Sequence, residues 1–104
     1  MSNLYKVVTL CGSTKFKEEF YKAQAGLTLQ GYIVISVGLF GHADSLYGNV
    51  ITEEVKVLLD DMYRSKIDMS DCIYVINKDG YIGESTKSEI EYAIRNGKDV
   101  FYLE

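Results

Sequence analysis

Four short apolar runs, separated by three stretches with helical spacing, constrain this chain more than any other feature. Tyr5–Cys11, Tyr32–Val37, Cys72–Asn77 and Asp99–Leu103 are rich in β-branched and aromatic residues and flanked by turn-forming ones, the pattern of strands. After the first run, Ser13 or Thr14 is placed to cap a helix. Phe16, Phe20, Ala23, Leu27 and Leu29 then keep helical spacing, and Gly31 ends the segment. A second helix is expected from Ile51 to Met69, with Val55, Leu58, Leu59 and Met62 on its inner face, and a third from Ser85 to Asn96, stopped by Gly97.

Strict alternation of strand and helix, with strands that are almost continuously apolar, implies a parallel sheet covered on both faces. Right-handed crossovers then give an α/β, doubly wound, three-layer sandwich of the Rossmann or flavodoxin-like kind with four parallel strands, for which 2-1-3-4 is the expected order. The whole chain, 1–104, reads as one such domain, with no linker, repeat or proline. In that order the switch point lies between the first and third strands. The Cys11-Gly12-Ser13-Thr14 turn and the Gly80–Thr86 loop (GYIGEST) both follow those strands and should meet at one ligand-binding crevice. A four-stranded sheet also leaves exposed edges, so a homodimer or higher homo-oligomer is expected.

Composition narrows the partners. The net charge is −4, Lys is dispersed, and Arg occurs only at 64 and 95, so the basic stripe that nucleic acid requires is missing. No apolar run approaches the roughly 20 residues of a membrane span, and the first residues lack a signal-peptide pattern. The expectation is a cytoplasmic protein acting on a small molecule, without nucleic-acid or membrane partners. Cys11 and Cys72, with a single histidine, do not make a zinc site, and no metal or cofactor is expected.

The candidate chemistry collects around the crevice. Gly12-Ser13-Thr14-Lys15 permits a tight turn whose free N–H groups can receive an anion, or simply the start of a helix. Thr86-x-x-Glu89 fits a capping box; alternatively, Glu89 is a carboxylate one turn into a helix at the switch point, fit to act as nucleophile or base. Ser85 and Thr86, with the helix N-terminal amides, would then hold an anion such as a 5′-phosphate. Cys11, Asn77 and Gly83 complete the expected lining of the crevice. Counting the rise of helix and strand back from Asp71 brings Asp61 or Asp60 to the ligand-binding edge, where either would serve as a second carboxylate. His42 is the one residue of the long Gly38–Asn49 loop suited to proton transfer near neutral pH. Phe40, Tyr47 and Tyr81 are available to stack on a planar base.

These residues also resemble a family. Leu10-Cys11-Gly12-Ser13, Ser70-Asp71 and Glu89-Ile90-Glu91-Tyr92-Ala93, in this order, look like the nucleoside 2-deoxyribosyltransferase-like proteins, which include the 2′-deoxynucleoside 5′-phosphate N-hydrolases. Short bacterial and phage members of that group carry the same Lys66-Ile67-Asp68 and Gly80–Thr86 sequences. The resemblance implies that Glu89 attacks the anomeric carbon of a deoxyribosyl group, expels the nucleobase, and passes the sugar to water or to another base. It also implies that a neighbouring subunit completes the site. The chain departs from the family pattern at Thr9, where an aromatic is usual, and at Tyr63, where an aspartate is usual. The same crevice without turnover would make a nucleotide- or ribose-ligand binding module, and the same fold without the crevice an oligomeric interaction protein.

Overall fold

Residues 4–40 and 52–104 are described in the computed structural model. In chain order they form β1 (Val7–Gly12), α1 (Lys17–Leu29), β2 (Ile33–Ile35), α2 (Glu53–Asp68), β3 (Cys72–Ile76), a 3₁₀ turn (Lys78–Gly80), α3 (Glu84–Arg95) and β4 (Asp99–Tyr102). The strands make one four-stranded sheet in the order β2-β1-β3-β4, every neighbouring pair parallel, as the alternating sequence requires. Among the described residues no helix is long and apolar enough to cross a membrane.

The period of two along β1 divides the core. Leu10 faces one side, where it packs with Phe20 and Ile76, and with partly buried Phe16, Ala23 and Leu27 of α1 and its approach. Cys11 faces the other, against Tyr63 and Ile67 of α2, Ile73 and Val75 of β3 and Ala93 of α3. One helix therefore covers the first face and two cover the second.

Two inner-face expectations are corrected. Leu29 is exposed at the end of α1, because two residues past the packed Leu27 is a rotation of about 200° away from the inner stripe. On α2, Leu58 and Met62 are exposed while Tyr63 and Ile67 are buried. The inner face keeps Val55 and Leu59, both half-buried, but is turned toward Tyr63 and Ile67, which pack over β1 and β3. Tyr63 also donates its phenolic hydrogen to the Leu10 carbonyl, so it is fastened as well as buried.

The Ser70-Asp71 pair has a structural explanation of its own. The Asp71 carboxylate accepts the Val7 N–H at 2.8 Å, and the Asp71 N–H donates to the Val7 carbonyl at 2.8 Å, locking the starts of β1 and β3 together. The Ser70 and Thr9 hydroxyls meet each other and share the Lys66 carbonyl, which satisfies both inside the core. Gly12 is required by close approach: a Cβ there would lie 2.8 Å from the Ile76 carbonyl oxygen and 3.0 Å from Ile76 Cβ.

Candidate functional site

The start of α3 decides the role open to Glu89. Gly83 is the N-cap, with extended backbone and no side-chain cap, and the Lys87 N–H closes the first turn on the Gly83 carbonyl at 2.9 Å. Thr86 therefore lies inside the helix rather than at its cap, and the expected capping box does not form. Helix α3 instead turns Thr86, Glu89, Ile90 and Ala93 toward the sheet, the spacing of one inner stripe. Thr86 and Ala93 are fully enclosed, and Glu89 is a carboxylate set among core positions.

Glu89 opens sideways into a groove of about 240 Å³ between α2 and α3. Helix α2 supplies Lys56, Asp60 and Arg64 to its walls, four residues apart along one face, and α3 supplies Glu84, Ser85, Ser88 and Glu89. Lys56 Nζ grips Asp60 Oδ2 at 2.9 Å on the groove wall. Burial, and then the negative charge of Asp60, push the Glu89 carboxyl up to about 7, against the opposing effects of a hydrogen bond with the Cys11 thiol and the positive charges of Lys66 and Lys56. Such a carboxyl changes charge near neutral pH, a property concentrated at functional sites.

Behind Glu89 the site is closed by the core. Cys11 has no exposed surface, and burial followed by the Glu89 charge holds its thiol well above the usual range. Cys11 thus touches Glu89 from below and is not open to a ligand. Lys66 stretches across the Tyr63 ring at 4.8 Å to donate to the Ser36 carbonyl at 2.9 Å, and burial lowers its ammonium.

Of the two aspartates weighed from the sequence, the structure brings Asp60 to the groove and turns Asp61 away. Asp61 is 74% exposed in its side chain and pairs with Arg64 at 3.4 Å on the outer surface. One residue along a helix is a rotation of about 100°, enough to separate wall from solvent. The second carboxylate of the site is therefore Asp60.

The turn after β1 and the loop after β3 do meet at the sheet edge, as the strand order requires. Gly12 is in register with Ile76, Phe16 packs edge-on against Tyr81 at 5.9 Å, and Lys15 Nζ sits 3.7 Å over the Tyr81 ring. The contact is thus bridged by side chains, and the groove lies beside it on the α2–α3 face. Gly12, Ser13 and Thr14 are half-buried in that turn and do not line the groove. Ser13 Oγ accepts the Lys15 N–H at 3.3 Å; α1 begins later, with Phe16 at its N-cap, so neither Ser13 nor Thr14 caps it.

Asn77 serves the fold rather than the groove. Its amide donates to the Glu104 carbonyl at 3.2 Å and accepts the Glu104 N–H at 2.9 Å, tying the segment after β4 to the end of β3. Gly83 is the helix cap beside the Tyr81 ring. Ser85 lines the groove as expected, whereas Thr86 is buried beneath it. Phe40 packs edge-on with Phe20 and Tyr21, 5.5 Å from each, and is not free to stack on a ligand. His42 and Tyr47 lie outside the described residues.

Lys56, Arg64, Ser88 and Lys66 were not anticipated. The signal for the first was present, since Lys56 stands four residues before Asp60 on a helix. Among the described residues no group of three or more His, Cys, Asp or Glu is arranged to hold a metal ion. No known family model matches the chain, and neither a curated protein nor a solved structure resembles it at a significant level.

Proposed function

We propose that this chain cleaves or transfers the N-glycosidic bond of a nucleoside or nucleotide, with Glu89 as the attacking carboxylate. The observation that carries the proposal is that α3 leaves Glu89 uncommitted to capping and turns it into a groove that Asp60 shares. Two carboxylates flanking one groove suit glycosidic chemistry, in which one attacks the anomeric carbon and another group assists departure. In this scheme Glu89 forms a C–O bond as the C–N bond breaks, and the departing base takes up a proton from solvent water. Water, or a second base, then attacks the same carbon and releases Glu89 as a carboxylate. Ser85 and Ser88 are placed to hydrogen-bond sugar hydroxyls. The resemblance at Leu10–Ser13 and Glu89–Ala93 supports the same reading. Cys11 and Cys72 are buried free thiols, which suits a reducing cytoplasmic setting.

The test is base release from a panel of nucleosides and their 5′-monophosphates, by the parent protein and by Glu89→Gln. Release that the substitution abolishes supports the proposal; release that survives it removes Glu89 as nucleophile. Thermal stabilisation by a panel member without any release would instead make the protein a binding module.

A further inference from the structure

We infer that a second copy of this chain docks on the β4 edge, pairing Val100 with the partner's Tyr102 antiparallel across a two-fold axis, so that two four-stranded sheets run on as one. This surface is separate from the α2–α3 groove and does not depend on the functional reading above.

Backbone accounting points to β4. It is the last strand of the described sheet, bonded to β3 alone. The Leu103 N–H donates to the Val75 carbonyl at 2.8 Å, so by strand alternation Asp99, Phe101 and Leu103 turn their main-chain groups toward β3. Val100 and Tyr102 turn theirs outward, two donors and two acceptors that no strand of the described sheet takes up. The flanking residues are closed off: the Lys98 N–H goes to the Ala93 carbonyl at 2.9 Å, and the Glu104 N–H to the Asn77 side chain at 2.9 Å. Only the register centred on Phe101 uses both open residues. Val100 then exchanges its bonds with the partner's Tyr102, and Tyr102 with the partner's Val100. The opposite edge is poorer. Strand β2 has three residues, and since the Ile33 N–H bonds the Lys6 carbonyl, only Val34 faces outward there.

The side chains agree with that register. Phe101 meets the partner's Phe101 at the two-fold axis, as a pair without hydrogen bonds, where facing side chains approach closest. Phe101 is 49% exposed, and Leu103 on the same face is open as well. The cause is the lone helix on that face. Helix α1 packs over Leu10 and Ile76 and leaves a groove of about 270 Å³ toward β4, walled by Leu27, Tyr32, Cys72, Tyr74 and Phe101 among others. A second copy brings apolar cover to the side of that groove that lacks it. The register sets Asp99 opposite the partner's Leu103 and Lys98 opposite the partner's Glu104, so no like charges face each other. Apart from Asp99 at its start, β4 holds none of the charges or prolines that blunt sheet edges.

Sedimentation equilibrium of the parent is expected to show a reversible dimer of the 11.8 kDa chain. Tyr102→Pro removes an outward donor without touching a bond to β3, and Phe101→Lys sets two ammonium groups against each other at the axis. Each should weaken the dimer about tenfold or more, the scale of two lost hydrogen bonds, while the circular dichroism stays that of the parent. Ile33→Lys, at an exposed position of the β2 edge, should leave the dimer intact. Hydrogen exchange on the parent makes the test independent of the variants. Its Val100 and Tyr102 amides should gain protection as concentration rises through the dimer range. A parent that stays monomeric at its highest soluble concentration overturns the inference. So does a dimer in which those two amides exchange as fast as in dilute protein, or one that Ile33→Lys breaks and folded Tyr102→Pro does not.

Discussion

Glu89→Gln offers the sharpest test of the electrostatics, because glutamine keeps the size of the protonated acid and removes its titration. The carboxyl moves from an ordinary 4.5 to about 7 in the folded protein, chiefly through burial and then through Asp60. At about 1.4 kcal/mol per pH unit, that displacement is on the order of 3 kcal/mol. The folded state binds the proton more tightly than the unfolded state does. Its stabilising effect is therefore fully present below pH 4.5 and is lost as pH rises through about 7. Urea denaturation of parent and variant at several pH values between 4 and 8 measures the difference. The two should be nearly equal in stability near pH 4. The variant should gain relative to the parent by up to about 3 kcal/mol by pH 8. A difference that stays constant across this window would mean that Glu89 does not titrate there, and the burial argument would fail. Kinetics add a sign: a nucleophile must be ionised, so kcat/KM should rise through about pH 7. A fall over the same range would make Glu89 a proton donor instead.

Asp60→Asn removes the negative charge that helps raise Glu89, so the midpoint of the Glu89 titration should move down, read by carboxyl NMR; an unmoved midpoint would place Asp60 too far away to matter. Asp61→Asn, on the outer surface, should leave the same midpoint unchanged. Gly12→Ala sets a Cβ 2.8 Å from the Ile76 carbonyl and should destabilise the fold by about 1–3 kcal/mol in urea titrations; a neutral effect would show that β1 and β3 can separate there without loss. Cys11 and Cys72 are both enclosed, with thiols raised by burial, so a thiol reagent should label neither before unfolding and both after it.

Most of the scaffold was legible from the residues. The apolar runs, the glycine after the first strand and the helical spacing between them pointed to a doubly wound parallel sheet, and the expected order 2-1-3-4 is the order found. The site was legible only in part. Val55, Leu58, Leu59 and Met62 make one plausible inner stripe for α2, and Asp60, Tyr63 and Ile67 lie on another. Periodicity alone does not choose between two overlapping stripes, and here the deeper side chains decided. That rotation put Asp60 in the groove and Asp61 outside it.

The same division holds for the segment from Gly80 to Ala93. Its sequence placed a loop and a helix start at the ligand-binding edge, because alternating strands and helices admit few topologies. It left Glu89 divided between capping and chemistry, since a Thr-x-x-Glu spacing fits both. Tertiary structure removed the first role by starting α3 at Gly83 and turning Thr86 and Ala93 into the core, with Glu89 between them. Sequence spacing determined where a carboxylate was available. Packing against Cys11, Tyr63 and Asp60, residues 26 to 78 positions away in the chain, decided that it faces a groove and titrates near neutrality. Desolvation and charge depend on distances in space, and those exist only once the helices are seated on the sheet.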